Sequence, residues 1–143
     1  MYDAGCYRIQ FGIEAGSQRI LDSIGKRITL EQVRRAVRLT LDTGIKVICF
    51  FMFPHPDDTE ETIREQMHFM KELLQMGAAE TIALTSPLPG TYYYEHAAEL
   101  GIKILAKSWD EYDCKHLAIT TKYLSEEKLK FLLEELVNDV GMR

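Results

Sequence analysis

Val47-Ile48-Cys49-Phe50-Phe51-Met52-Phe53 is a run without a single polar side chain, and its reading decides the fold. It is far shorter than the roughly 20 apolar residues that a membrane span needs. A parallel strand covered by helices on both faces loses the polar/apolar alternation of an exposed sheet, so this run is expected to be a central strand, covered twice. Working outward, it follows Thr43-Gly44-Ile45, where a glycine closes an amphipathic segment. The same arrangement recurs at Ala4-Gly5-Cys6 ahead of residues 7–13 and at Met76-Gly77-Ala78 ahead of residues 80–85, with a weaker fourth copy at Leu100-Gly101-Ile102. Glycine just past a helix end supplies the left-handed cap residue. Helices followed by short apolar runs at intervals of about 30 residues read as β-α units with parallel strands. The expected fold class is α/β.

The first strand differs from the second. With a period of two, Ile9, Phe11 and Ile13 point one way, and Arg8, Gln10, Gly12 and Glu14 the other. A polar face on a parallel strand suits a wide barrel lumen or a ligand cleft, and equally an edge strand facing solvent. The helices are well marked. Thr29-Leu30-Glu31-Gln32 has the form of a capping box and opens a helix whose apolar positions are Leu30, Val33, Val37 and Leu41. Asp57-Asp58-Thr59-Glu60-Glu61 starts the next, with Ile63, Met67, Met70 and Leu74 as its core stripe. Ser125-Glu126-Glu127 opens a last helix buried through Leu129, Leu132, Leu133, Leu136 and Val140. Residues 107–122 lose the pattern and predict an irregular connection carrying Trp109.

At 143 residues and 46% hydrophobic content the chain has the size of one ordinary domain. Seventeen Lys and Arg against 22 Asp and Glu give a net charge of −5, with the basic residues spread over the helices, which disfavours nucleic acid as a partner. The N-terminal residues lack the basic start, apolar stretch and cleavage site of a secretory signal. With no membrane span either, a cytoplasmic location is expected. Cys6, Cys49 and Cys114, like His55, His68, His96 and His116, are scattered too widely to write a disulfide framework or a metal motif. Three buried parallel strands leave two open sheet edges. A complete eight-unit barrel takes about 250 residues, so the chain is expected either to be a piece of a larger domain or to associate with a second copy.

Ligands of parallel α/β proteins sit at the C-terminal ends of the strands. Three Gly/Pro-rich segments stand there: Gly12-Ile13-Glu14-Ala15-Gly16-Ser17-Gln18, Pro54-His55-Pro56-Asp57-Asp58-Thr59-Glu60-Glu61-Thr62, and Pro87-Leu88-Pro89-Gly90-Thr91. In this order and spacing they resemble the later half of the radical S-adenosylmethionine (radical SAM) enzymes, specifically the iron–sulfur oxidoreductases that often follow a cobalamin-binding domain. The corresponding family segments read Gly-Ile-Glu-Ser-Gly-Ser-Gln, Gly-x-Pro-Gly-Asp/Glu-Thr-Glu-Glu-Thr and Pro-x-Pro-Gly-Thr. The likeness covers residues 4–91, with Trp109-Asp110 and the terminal helix also in place.

The resemblance implies about three β-α units of a (β/α)6 partial TIM-type barrel over residues 1–105, with residues 106–143 packed on the same domain. It implies S-adenosylmethionine and a [4Fe–4S] cluster as cofactors of the full-length protein, with cobalamin in an upstream domain. The Cys-x3-Cys-x2-Cys that holds the cluster has no counterpart here, so the chain is expected to contribute the SAM- and substrate-side barrel wall and to be inactive alone. Met1 then reads as an internal methionine or the start of a truncated frame. Glu14 matches the position that hydrogen-bonds the ribose hydroxyls, as suits an acceptor-only carboxylate facing a diol. An ion pair of Glu14 with Lys26 or Arg27 is the structural alternative. Lys26 matches the position that meets the methionine carboxylate, with a solvent-facing helix-end lysine as its alternative. Ser17 lies in the first motif. Phe50 stands where relatives often carry a small polar residue, Met52 shares its face beside the adenine site, and Leu88 offers backbone groups to adenine. His55 and His96 have the capacity of proton carriers but no identifiable partner, so ordinary packing is expected for both. The partner implied is the missing half-barrel. The alternative is a stand-alone, non-catalytic α/β binding or assembly module that homodimerises through its open edges. A flavodoxin-like binder requires a strand order that the sequence does not give and a phosphate loop that it does not carry.

Overall fold

The computed structural model describes residues 1–141. Strand β1 (Arg8–Glu14) leads through the short helix α1 (Gln18–Ser23) and helix α2 (Leu30–Asp42) to β2 (Lys46–Phe53). Helix α3 (Glu60–Met76) then leads to β3 (Ala79–Leu84). The three strands form one parallel sheet in the order β1-β2-β3. This sequential order has no reversal point of the kind a flavodoxin-like sheet uses to hold its ligand. The single-turn helix α4 (Tyr92–Glu95), a two-stranded antiparallel ladder of β4 (Lys103–Ile104) with β5 (Ile119–Thr120), and helix α5 (Glu126–Val140) complete the chain.

Local chemistry places the boundaries. Thr29 and Thr59 each accept the third backbone N–H of α2 and α3, and Gln32 and Thr62 reciprocate, giving two full capping boxes. Gly77 ends α3 in the left-handed conformation at φ 101°, which an L side chain adopts only under strain. Helices α2 and α3 are joined by a two-pronged ion pair, Arg34 Nε to Glu72 Oε1 at 2.6 Å and Arg34 Nη2 to Glu72 Oε2 at 2.9 Å. That hydrogen bonding holds the Glu72 carboxyl below the usual carboxylate range.

The core lies between one face of the sheet and the helices. Val47, Cys49, Phe51 and Phe53 of β2 are buried against a layer that includes Val37, Met70, Leu73, Leu132 and Leu136. Ile48, Phe50 and Met52, which point the other way, are only half-buried. The expectation that β2 is covered on both faces is therefore corrected: among the described residues, helices cover one face. The hydrophobic run reflects a second face that is apolar without being enclosed by this chain. On β1 the expected split holds, with Ile13 buried and Arg8, Gln10 and Gly12 exposed. The fourth β-α copy is also corrected. After Gly101 the chain makes a two-residue antiparallel strand, because β5, not a parallel neighbour, supplies its partner. The buried stripe of α3 closes on Leu73, with Leu74 half-buried.

Candidate functional site

Strand β1 ends on an irregularity. Its register against β2 slips between Gly12, which faces Phe50, and Glu14, which faces Phe51. Glu14 itself sits at φ 77°, in the left-handed region that non-glycine residues seldom occupy. Its carboxylate folds back over Gly12: a Cβ built on Gly12 would lie 2.8 Å from Glu14 Oε1. Lys26 Nζ donates to the same oxygen at 3.1 Å, and the two side chains remain 30% and 27% exposed. The pairing that the sequence left open is thus made, between partly hydrated groups whose Coulomb attraction is modest.

Behind this carboxylate lies a network that the sequence reading left unassembled. His55 follows β2 and is 2% exposed. Its ring Nε2 is 3.2 Å from the Glu14 carbonyl oxygen and its Nδ1 is 3.3 Å from the Tyr93 hydroxyl. The His55 backbone N–H donates to Asp58 Oδ2 at 2.7 Å, and the Thr62 hydroxyl donates to Asp58 Oδ1 at 2.8 Å. Burial pushes the Asp58 carboxyl up, against the opposing pull of His55 and these hydrogen bonds. Burial, reinforced by the carboxylates of Asp58, Asp57 and Glu14, pushes the Tyr93 phenol up to about 12. Gln66, reaching from α3, accepts the Gly16 N–H at 3.2 Å and donates to the Met52 carbonyl at 3.4 Å, tying the β1–α1 turn to the end of β2.

The other sequence-predicted positions fall as follows. Phe50 and Met52 lie on the half-exposed face of β2, with Phe50 beside Gly12 in the ladder. Ser17 is the N-cap residue of α1, yet its hydroxyl makes no capping bond and is buried without a partner. Leu88 stands on the turn after β3, where its N–H donates to the Ser86 carbonyl and its own carbonyl accepts from Thr91. Its backbone groups are therefore engaged within the turn. His96 stacks on Tyr92 and is half-buried. The signal for the His55 network was its location, a histidine between two prolines immediately after the central strand. Its partners, however, come from positions 14 and 93.

The cysteines do not fit an iron–sulfur cluster. Cys49 is buried on the helix side of the sheet, Cys6 is half-buried before β1, and Cys114 is exposed in the loop that meets β3. Among the described residues no group of three or more His, Cys, Asp or Glu side chains converges as metal ligands do. Burial, with the nearby Glu80 carboxylate, pushes the Cys49 thiol up to about 12, and the thiolate is the reactive form. Iodoacetamide at pH 8 is accordingly expected to modify Cys6 and Cys114 and to spare Cys49 in the folded chain, with all three modified in urea. Mass spectrometry of the peptides reads the outcome, and native labelling of Cys49 at the rate of Cys114 would contradict it. By contrast, an acceptor carboxylate at the rim of an open face lined by Phe50 and Met52 is chemically suited to a nucleoside, with a diol for Glu14 and an apolar surface for a base.

A three-stranded parallel sheet flanked by helices, with Glu14, His55 and Asp58 near its C-terminal strand ends, defines an α/β protein. Residues 1–70 match the model of the radical SAM superfamily. An uncharacterized methyltransferase of Pyrococcus horikoshii is 33% identical over 135 residues, which is 94% of this chain and 29% of that protein. The anaerobic magnesium-protoporphyrin IX monomethyl ester cyclase of Rubrivivax gelatinosus is 29% identical over 110 residues, 77% of this chain and 19% of the cyclase. An uncharacterized protein of Methanopyrus kandleri is 30% identical over 86 residues, 59% of this chain and 16% of its own length. The chain thus spans less than a third of each of these curated relatives. Among the described residues no helix is long and apolar enough to cross a membrane.

Proposed function

We propose that this chain forms the later half of a radical SAM partial barrel in an iron–sulfur oxidoreductase of the subgroup allied to cobalamin-binding proteins, and that it supplies the nucleoside-side wall and not the cluster. In this reading Glu14 accepts from the ribose hydroxyls of S-adenosylmethionine, Lys26 exchanges its bond to Glu14 for one to the methionine carboxylate, and Phe50 and Met52 flank the adenine. Ser17 and Leu88 shape the adjoining turns. The bound cofactor would be the source of the radical chemistry, and the residues of this chain bind and orient it. The preceding β-α units would complete the sheet and carry the cluster in a cytoplasmic enzyme whose substrate is chosen elsewhere.

The observation that carries the proposal is the asymmetry of the sheet. Helices cover one face, a polar strand face and Glu14 line the other, and β1 pairs only with β2 among the described residues. Alongside β1 runs a cleft of about 510 Å³ whose apolar wall is Phe11, Ile13, Ile28, Val33 and Ala36, with Lys26, Arg27 and Gln32 at the same cleft; the apolar part is surface of the kind a neighbouring β-α unit covers. The same open edge supports the alternative of a second copy pairing with β1.

Titration with S-adenosylhomocysteine tests the reading. Wild-type chain is expected to bind it, and Glu14→Ala to weaken binding about 10- to 100-fold, the loss that accompanies removal of a charge-assisted acceptor. Equal affinities for the wild type and the variant would remove Glu14 from the nucleoside site.

A further inference from the structure

We infer that His55 is a positioning residue that sets where the Glu14 carboxylate stands, acting through the Glu14 main-chain carbonyl and itself held by Tyr93 and Asp58. Its functional meaning rests on the nucleoside reading of Glu14, whereas the geometry stands without it. A glutamate at φ 77° is strained and persists only where its surroundings over-determine it. Relaxing to an extended conformation would swing the carboxylate away from Gly12 and Lys26.

His55 supplies the restraint. A carbonyl oxygen only accepts, so the contact at 3.2 Å selects the tautomer with the proton on Nε2, leaving Nδ1 to accept from the Tyr93 hydroxyl. The phenol keeps its proton through neutral pH, as a tyrosine ordinarily does, and burial pushes its pKa further up, to about 12. Asp58 fixes the histidine main chain from below, and at 2% exposure the ring has no water to replace either bond. The chain from Tyr93 through His55 to Glu14 therefore joins the segment after β3 to the end of β1 across the end of β2. A change of position at Tyr93 would be felt at the carboxylate.

Three variants, His55→Gln, His55→Leu and Tyr93→Phe, test this by NMR and by S-adenosylhomocysteine titration. In the wild type the His55 ring proton is expected on Nε2, in slow exchange with water. Glutamine keeps an N–H donor at that reach, so His55→Gln should preserve the amide shifts of residues 14–16 and hold the affinity within about threefold. His55→Leu should displace those shifts and weaken binding about tenfold, the equivalent of one lost buried hydrogen bond. A proton found on Nδ1, or a leucine variant that behaves as the glutamine variant does, would overturn the inference. If His55→Leu does not fold, Tyr93→Phe decides: it should speed exchange of the Nε2 proton in an otherwise unchanged fold, and unaltered exchange would refute the assignment. Failure of the wild type to bind S-adenosylhomocysteine would remove the nucleoside reading, while the NMR comparison would still decide the positioning role.

Discussion

Replacing Gly16 by alanine is expected to destabilise the chain by about 3 kcal/mol. A Cβ at this position would lie 2.6 Å from Gln66 Cα and 3.1 Å from both Gln66 Cβ and the Gln66 carbonyl oxygen. These atoms belong to the middle of α3, a helix whose neighbours are buried in the core, so the obstruction has no rotamer by which to move aside. The turn after β1 would have to withdraw, breaking the bond from the Gly16 N–H to Gln66 Oε1 as well. Overpacking typically costs about 1–3 kcal/mol and the hydrogen bond about 1 kcal/mol more. For a domain of this size the melting temperature should fall by roughly 10 °C. Gly12→Ala is the informative contrast. There the obstructing atom is Glu14 Oε1, the far end of a flexible side chain. Stability should change little, while the Glu14–Lys26 pair is displaced. Urea unfolding of both variants checks the pair of expectations. A Gly16→Ala chain within 1 kcal/mol of wild type would mean that the turn and α3 do not approach so closely.

Glu80→Leu is expected to stabilise the chain at pH 9 by on the order of 2 kcal/mol more than it does at pH 5. Glu80 stands opposite Cys49 in the β2–β3 ladder. Both of its carboxylate oxygens are buried without a hydrogen-bond partner. Desolvation pushes its pKa from 4.5 up to about 8. The folded chain therefore holds a proton that the unfolded chain has released between these two values. Stability is full below pH 4.5 and falls as the pH rises to about 8, where the carboxylate must be buried charged. The whole shift would correspond to a larger figure, and partial exposure to solvent screens it to the magnitude given. Leucine removes the titration, so the difference in unfolding free energy between variant and wild type should grow over this window, the four histidines cancelling between the two chains. A difference that is the same at pH 5 and pH 9 would show that Glu80 does not carry a raised pKa.

Much of the architecture was legible in the sequence because it is set by local rules. Capping boxes at Thr29 and Thr59, glycine at the end of α3, and apolar residues at helical spacing act within a few positions of the chain, and the helices begin and end where those signals stand. The alternation on β1 announced a polar face. The misreadings came from treating a pattern as evidence of coverage. An apolar run such as Ile48, Phe50 and Met52 shows that a face avoids polar groups, and only the arrangement of other elements determines whether anything lies on it. The fourth unit failed similarly, since Ile102 and its neighbours are compatible with either a parallel or an antiparallel partner.

By itself, then, the sequence determined the α/β class, the sequential units and Glu14 as the carboxylate of interest. The tertiary structure decided the setting of that residue: its carboxylate pairs with Lys26, its backbone sits at a positive φ after a register slip, and its main-chain carbonyl meets a histidine 41 positions away. It also decided that the carboxylate oxygens of the half-buried Glu80 have no hydrogen-bond partner and that Gly16 lies against α3. These are contacts between residues distant in the chain, made by the packing of strands and helices against one another. No local propensity or periodicity encodes which distant group will occupy a given neighbour's remaining hydrogen-bond or packing site.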